Sequence, residues 1–200
     1  MASGLPVLYD DCMAVQAASS LPIHALDAET YNRIVASGAL DGEPVELLDG
    51  LLVEMSPHGT AHAAVIERLT RHLARAQAWL RVQLPLEIPP DSEPEPDLAL
   101  VAEASPDRHP RTALLVVEAS VSSHQIDRGL KARLYARAEI PLYWLIDVPG
   151  RAVEVRTDPS ADGYRSCAIH HVGDAVASPA SGVDDLDLAW LFAGIGQTAS

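Results

Sequence analysis

Near the middle of the chain, Ala113-Leu-Leu-Val-Val-Glu118 runs apolar without alternation and then ends on an acid. A strand with one wet face alternates; a continuous apolar run predicts a strand covered on both faces, with helices packed over it. Asp127 to Ala138, with Leu130, Leu134 and Ala138 inward and Pro141 beyond, reads as one such helix. Thr60 to about Leu80 reads as another, capped by Thr60, with Ile66, Leu69, Leu73, Ala76 and Leu80 along its inner face.

Shorter elements follow the same logic. Asp27 is a plausible cap for a helix over Ala28 to Ser37, closed by Gly38. Val45 to Leu48 and Leu51 to Met55 flank Asp49-Gly50, the pair that suits a type I′ hairpin because both turn residues need positive φ. Five prolines between Pro85 and Pro96 keep that stretch extended. Strands are expected at Asp97 to Val101, Leu142 to Asp147, Ala152 to Thr157 and Tyr164 to His171, with a closing turn or helix over Leu186 to Phe192. The fold class is therefore α/β or α+β, a central sheet flanked by helices. One domain spans 22–192, between tails at 1–21 and 193–200, and 200 residues leave room for its core.

Bulk properties narrow the function. A hydrophobic content of 48% belongs to a globular chain, and no apolar run approaches membrane-spanning length. Met1 to Ser20 carries acids and no basic residue, unlike a signal peptide, and two cysteines make a reduced, cytoplasmic protein the default. The formal net charge of −14 excludes a general nucleic-acid coat. Residues 107–139 are locally net positive, however, through Arg108, Arg111, Arg128, Lys131, Arg133 and Arg137. Weak, salt-sensitive, cation-dependent binding of nucleic acid is compatible with that balance.

Chemistry gathers in three positions. Asp97 opens one strand, Glu118 ends the next long apolar one, and Lys131, the only lysine in the chain, lies on the helix that follows. Neighbouring strands can bring the two acids to one end of a sheet. Paired carboxylate oxygens suit Mg²⁺, which takes one or two protein carboxylates and keeps waters and phosphate oxygens. A compact ammonium nearby could orient water or offset charge on a phosphate. The plainer alternative for Lys131 is an ion pair with Asp127, one helical turn earlier.

These blocks, together with Val45-Glu-Leu-Leu-Asp-Gly-Leu-Leu-Val-Glu-Met-Ser-Pro57, Glu95-Pro-Asp-Leu-Ala-Leu-Val101, Leu114-Leu-Val-Val-Glu-Ala-Ser120, Leu134-Tyr-Ala-Arg-Ala138 and Ile140-Pro-Leu-Tyr-Trp-Leu-Ile-Asp147, resemble the PD-(D/E)XK nuclease superfamily. Within it, they resemble the Uma-two family of proposed endonucleases, over about residues 22–192. The resemblance implies a restriction-endonuclease-like core with a mixed sheet and a metal-dependent nuclease acting on DNA. It implies Mg²⁺ or Mn²⁺ as cofactor, Asp97 and Glu118 as metal ligands and Ala119 as a main-chain contributor. The superfamily lysine expected two residues after Glu118 is Ser120 here, and the resemblance implies that Lys131 is its displaced counterpart. Glu46 is either a third acid near the metal or an exposed hairpin residue. His62 reads as a satisfied, partly buried histidine, and Ser122 and Ser123 as caps for the Lys131 helix.

The remaining candidates are weaker. Cys167, His170 and His171 lack a second chelating pair, and the two histidines point to opposite faces of a strand. Asp184, Asp185 and Asp187 lack the glycine and terminal glutamate of a calcium loop. Trp79, Trp190, Tyr143 and Trp144 read as core or interface aromatics. Tyr143-Trp144 and the hairpin could supply an apolar surface for a homo-oligomer. A nuclease-like fold kept as a non-catalytic binding or assembly module is the alternative function.

Overall fold

The computed structural model describes residues 22–57 and 59–195; the expected tail at 1–21 lies outside them. Helix α1 (Ala28–Ala36) is capped by Asp27, whose carboxylate accepts from Thr30 N at 2.7 Å. Strands β1 (Val45–Leu48) and β2 (Leu51–Glu54) pair antiparallel across Asp49 (φ 46°) and Gly50 (φ 78°), the two left-handed residues a type I′ turn requires. The turn is tied down from both sides, with Gly50 N on Asp91 O at 2.7 Å and Leu26 N on Gly50 O at 2.9 Å.

The main sheet has six strands in the order β3–β4–β5–β6–β7–β8. These are β3 (Trp79–Val82), β4 (Leu98–Val101), β5 (Leu115–Ser120), β6 (Leu142–Asp147), β7 (Ala152–Ser160) and β8 (Gly163–His171). Only β5 and β6 run parallel, because the helical crossover lies between them; the other neighbours are antiparallel. As the apolar run predicts, every residue of β5 is buried.

Alternation along the strands builds a core on each face. Leu98, Leu100, Leu115, Val117, Trp144 and Ile146 pack against helix α2 (Thr60–Leu73) and the C-terminal segment. Ala99, Val101, Val116, Tyr143 and Leu145 pack with Leu134 and Tyr135 of the crossover. The C-terminal segment comprises β9 (Ala175–Val176), β10 (Leu186–Asp187) and a short helix, Leu188–Leu191, and its packing extends to the buried Ile195. No described helix is long and apolar enough to cross a membrane.

Three sequence expectations need correction. Helix α2 starts one residue after its cap position, Gly59, so Thr60 is its first helical residue and not its cap. It also stops at Leu73, because 79–82 pairs with 98–101 as β3. Leu80 fits both a helical stripe and an alternating strand; the open edge of β4 decides it, with Leu80 and Val82 turned to the core and Trp79 62% exposed. Tyr143 and Trp144 are fully buried and supply no surface for self-association.

Candidate active site

The antiparallel register of β4 and β5, with Leu98 opposite Val117, brings the next pair outward, Asp97 and Glu118, opposite each other at the sheet end. Asp97 N lies 3.4 Å from Glu118 Oε2. Both acids are buried, at 7% and 5% exposure, and both border a cavity of about 130 Å³ beneath the β1–β2 hairpin. Two carboxylates in such a place need partners. Asp97 Oδ2 accepts from Ala119 N at 2.8 Å and contacts His62 Nε2 at 3.1 Å. With Asp97 ionised, that contact requires the hydrogen on Nε2, so His62 donates.

Glu118 is served from the opposite face. The crossover opens with helix α3 (His124–Ile126), widens into a π-helical turn over Asp127–Lys131, and continues as α4 (Ala132–Arg137). Widened turns of this kind concentrate at functional sites, since they re-aim the side chains they carry. Here Asp127 and Lys131 are both buried and both border the cavity. Lys131 Nζ sits 3.1 Å from Glu118 Oε1 and 2.9 Å from Glu46 Oε1, while Tyr135, one turn on, donates to Glu118 Oε1 at 2.6 Å. The ion pairs of Lys131 are therefore with Glu118 and Glu46, and not with Asp127.

Glu46 is buried as well, and its second oxygen accepts from Glu95 N at 3.0 Å, so the reading of an exposed hairpin residue is excluded. Asp127 accepts from the Ser123 hydroxyl, which also contacts Ser120. Ser123 occupies the cap position of α3, but its side chain serves Asp127 and makes no capping bond. His62 has the partner expected of a buried histidine, and that partner is the aspartate of the site.

Four buried carboxylates (Glu46, Asp97, Glu118 and Asp127) thus face one buried ammonium. Burial pushes the Glu118 carboxyl up to about 8, with Asp97, Asp127 and Glu46 adding to the rise against the pull of Lys131. Burial works against the charge on Lys131, yet Glu118 and Glu46 overcome it and hold its pKa above the ordinary lysine value. Burial and then Glu46 also raise Glu95, at the rim. A surplus of buried negative charge at hard oxygen donors is an environment that favours a divalent cation.

Among the described residues, no three His, Cys, Asp or Glu side chains are grouped as a metal cage. A donor set of two carboxylates beside an open cavity still fits Mg²⁺ or Mn²⁺, which need few protein ligands and keep water on the rest. Asp97 and Glu118, with the Ala119 main chain beside them, are the residues that could hold it.

The arginines of the locally positive window do not form a free basic face. Arg111 pairs with Glu87, Arg128 with Glu154 and Asp147, and Arg137 with Asp49 and Asp91. The declined candidates remain apart from the site. Cys167 is an exposed thiol on β8, and Asp187 caps the last helix through Ala189 N.

Sequence reasoning passed over Tyr135 and Asp127. Tyr135 lies four residues after Lys131 and shares its face, a spacing that could have identified it. The sequence offers Asp127 only as a surface partner for Lys131, because the π-helical turn that buries it has no signature in composition.

The fold is similar to that of a crystal structure described as a "putative nuclease belonging to DUF820" from Anabaena variabilis. The TM-score is 0.60 at 16% identity, over 75% of this chain and 90% of that one. None of the curated proteins compared matches the chain. The sequence model of the Uma2 family, described as "Putative restriction endonuclease", matches residues 28–190. That match takes in the hairpin, the sheet, the crossover and every residue of the cavity cluster, and the chain belongs to the Uma2 family.

Proposed function

We propose that the protein is a divalent-metal-dependent endonuclease that hydrolyses phosphodiester bonds in DNA, with Mg²⁺ or Mn²⁺ held by Asp97 and Glu118. The observation that carries this reading is the meeting of Asp97, Glu118 and Lys131 around one cavity, from three separate segments. Family membership points to the same class of chemistry. When bound, the cation supplies a Lewis-acidic centre for the scissile phosphate.

The chain's own residues do the rest. Lys131 has three N–H donors, and Glu46 and Glu118 take two. The third is available to a phosphate oxygen or to the attacking water, so the ammonium stabilises charge that grows as the phosphate becomes pentavalent. Glu46 fixes the ammonium from the hairpin side, which keeps Lys131 in place between turnovers. Ala119 N and His62 fix Asp97, and Tyr135 fixes Glu118, so little reorganisation is needed when substrate arrives. With most arginines of the positive window already paired, DNA binding is weak, salt-sensitive and dependent on the cation.

The test is cleavage of plasmid and oligonucleotide DNA by purified protein with Mg²⁺, with Mn²⁺ and with chelator. Cutting is expected only with metal, is abolished by Asp97→Ala, and falls about a hundred- to a thousandfold in Lys131→Ala, the usual effect of losing one donor to a developing charge. Protein inert on single- and double-stranded DNA and RNA across a range of metals overturns the reading.

A further inference from the structure

The hydrogen bonds on the two acids are distributed unevenly, and the unevenness has a consequence for cation choice. A carboxylate offers about four lone-pair positions, two on each oxygen. On Asp97, Ala119 N–H and His62 both bond Oδ2. On Glu118, Lys131 Nζ and Tyr135 OH both bond Oε1, while Oε2 has only the long 3.4 Å approach of Asp97 N. One oxygen of each acid is saturated by donors that are themselves buried or main-chain. Neither acid can then grip a cation with both oxygens unless it gives up strong hydrogen bonds.

We propose that His62 and Tyr135 are positioning residues which, with Ala119 N–H and Lys131, confine Asp97 and Glu118 to one metal-facing oxygen each and so select a small octahedral cation over calcium. Mg²⁺ and Mn²⁺ accept two single-oxygen carboxylates and fill the remaining positions with water. Ca²⁺ has six to eight longer bonds to make and draws on two-oxygen carboxylates to make them. The idea rests on the proposed cation site, and it extends that site to two residues whose only role is to hold the ligands' geometry. His62 reaches Asp97 from the first turn of α2, and Tyr135 reaches Glu118 from α4, so the restraint is applied from both faces of the sheet.

Calorimetric titration of the full chain with Mn²⁺ and separately with Ca²⁺, at one pH, tests this. The unsubstituted protein is expected to bind Mn²⁺ at least tenfold tighter than Ca²⁺. Tyr135→Phe removes one hydroxyl and keeps the ring, and His62→Ala removes the other donor. In each, Mn²⁺ affinity is expected to fall about ten- to a hundredfold, the usual effect of losing a group that orients a ligand, and Ca²⁺ affinity to fall much less, so that the ratio approaches one. His62→Gln, which restores an N–H donor, should recover the ratio. Circular dichroism identifies a variant that fails to fold, and Tyr135→Phe, the milder change, keeps the test decisive if His62→Ala does so.

An unchanged ratio in folded Tyr135→Phe and His62→Ala, with Mn²⁺ binding still abolished by Asp97→Asn, overturns the selectivity role and leaves the cation site standing. Absence of Mn²⁺ binding in the unsubstituted protein, or binding that survives Asp97→Asn, overturns both.

Discussion

Lys131→Met is the most informative single perturbation, because it removes the ammonium and keeps an unbranched stem to fill the space. Nζ lies 2.9 Å from Glu46 and 3.1 Å from Glu118, so above about pH 8, where Glu118 is ionised, each contact contributes roughly 5 kcal/mol of gross attraction at an effective dielectric of about 20. Most of that offsets the burial of three charges, and removing one partner of such a group leaves a net loss of about 3–5 kcal/mol. The loss should depend on pH in a definite direction. Glu118 has a folded pKa above its ordinary value of 4.5, so its proton favours the fold; that contribution is complete below about 4.5 and disappears as pH rises through about 8. Without Lys131 the Glu118 pKa rises further, and ionising it becomes more unfavourable still. Urea unfolding in chelator, by linear extrapolation, should therefore show a larger loss for Lys131→Met at pH 9 than at pH 6, where Glu118 stays neutral and only Glu46 lacks its cation. Glu46→Gln in the same background should recover much of the pH 6 loss. A variant within about 1 kcal/mol of its parent at both pH values would refute the argument, since surface ion pairs lie in that range.

The proton on Glu118 competes with any cation for the oxygen that Lys131 and Tyr135 leave open, so Mn²⁺ affinity should rise by about tenfold or more between pH 6 and pH 9. Titrations in buffers of different ionisation enthalpy count the released proton, and a flat affinity over that span would contradict the assignment. Gly50→Ala should destabilise the fold by about 1–3 kcal/mol in thermal or urea melts. Its φ is 78°, and a new Cβ would fall 2.5 Å from the Ala25 Cβ. Stability equal to the parent would mean that the hairpin turn can relax, and that its hold on Glu46 is looser than described.

Those parts of the molecule that depend on local chemistry were legible in the sequence. The Asp49-Gly50 turn, the Asp27 cap and the unbroken apolar run before Glu118 each state their own conformation. The meeting of Asp97 and Glu118 was also legible, since one precedes an apolar strand and the other closes an apolar run, and antiparallel pairing does the rest. What was hidden depends on partners far along the chain. Leu80 reads as helical from the sequence because its spacing suits either period, and only the open edge of β4 makes it a strand residue. Glu46 is 85 residues before Lys131, and nothing in the hairpin's sequence announces that its acid turns inward to an ammonium. The arginines looked like a basic window because their acids, among them Asp49, Asp91 and Glu154, lie outside it.

The lone lysine is explained by the same geometry. Thirteen arginines meet every other need for positive charge in this chain, mostly at exposed or half-exposed positions where a wide planar fork can reach an acid. At position 131 the cation must fit between Glu46 and Glu118, with Tyr135 crowding the same oxygen of Glu118, inside a cavity of about 130 Å³. A guanidinium is larger and fixes its donors in one plane, whereas a compact, rotating ammonium directs separate hydrogens at two oxygens about 3 Å away and still has one to give. The requirement also works in the other direction. Burying four acids beside a single compact cation leaves the cluster short of positive charge, a balance that the cation proposed above would restore.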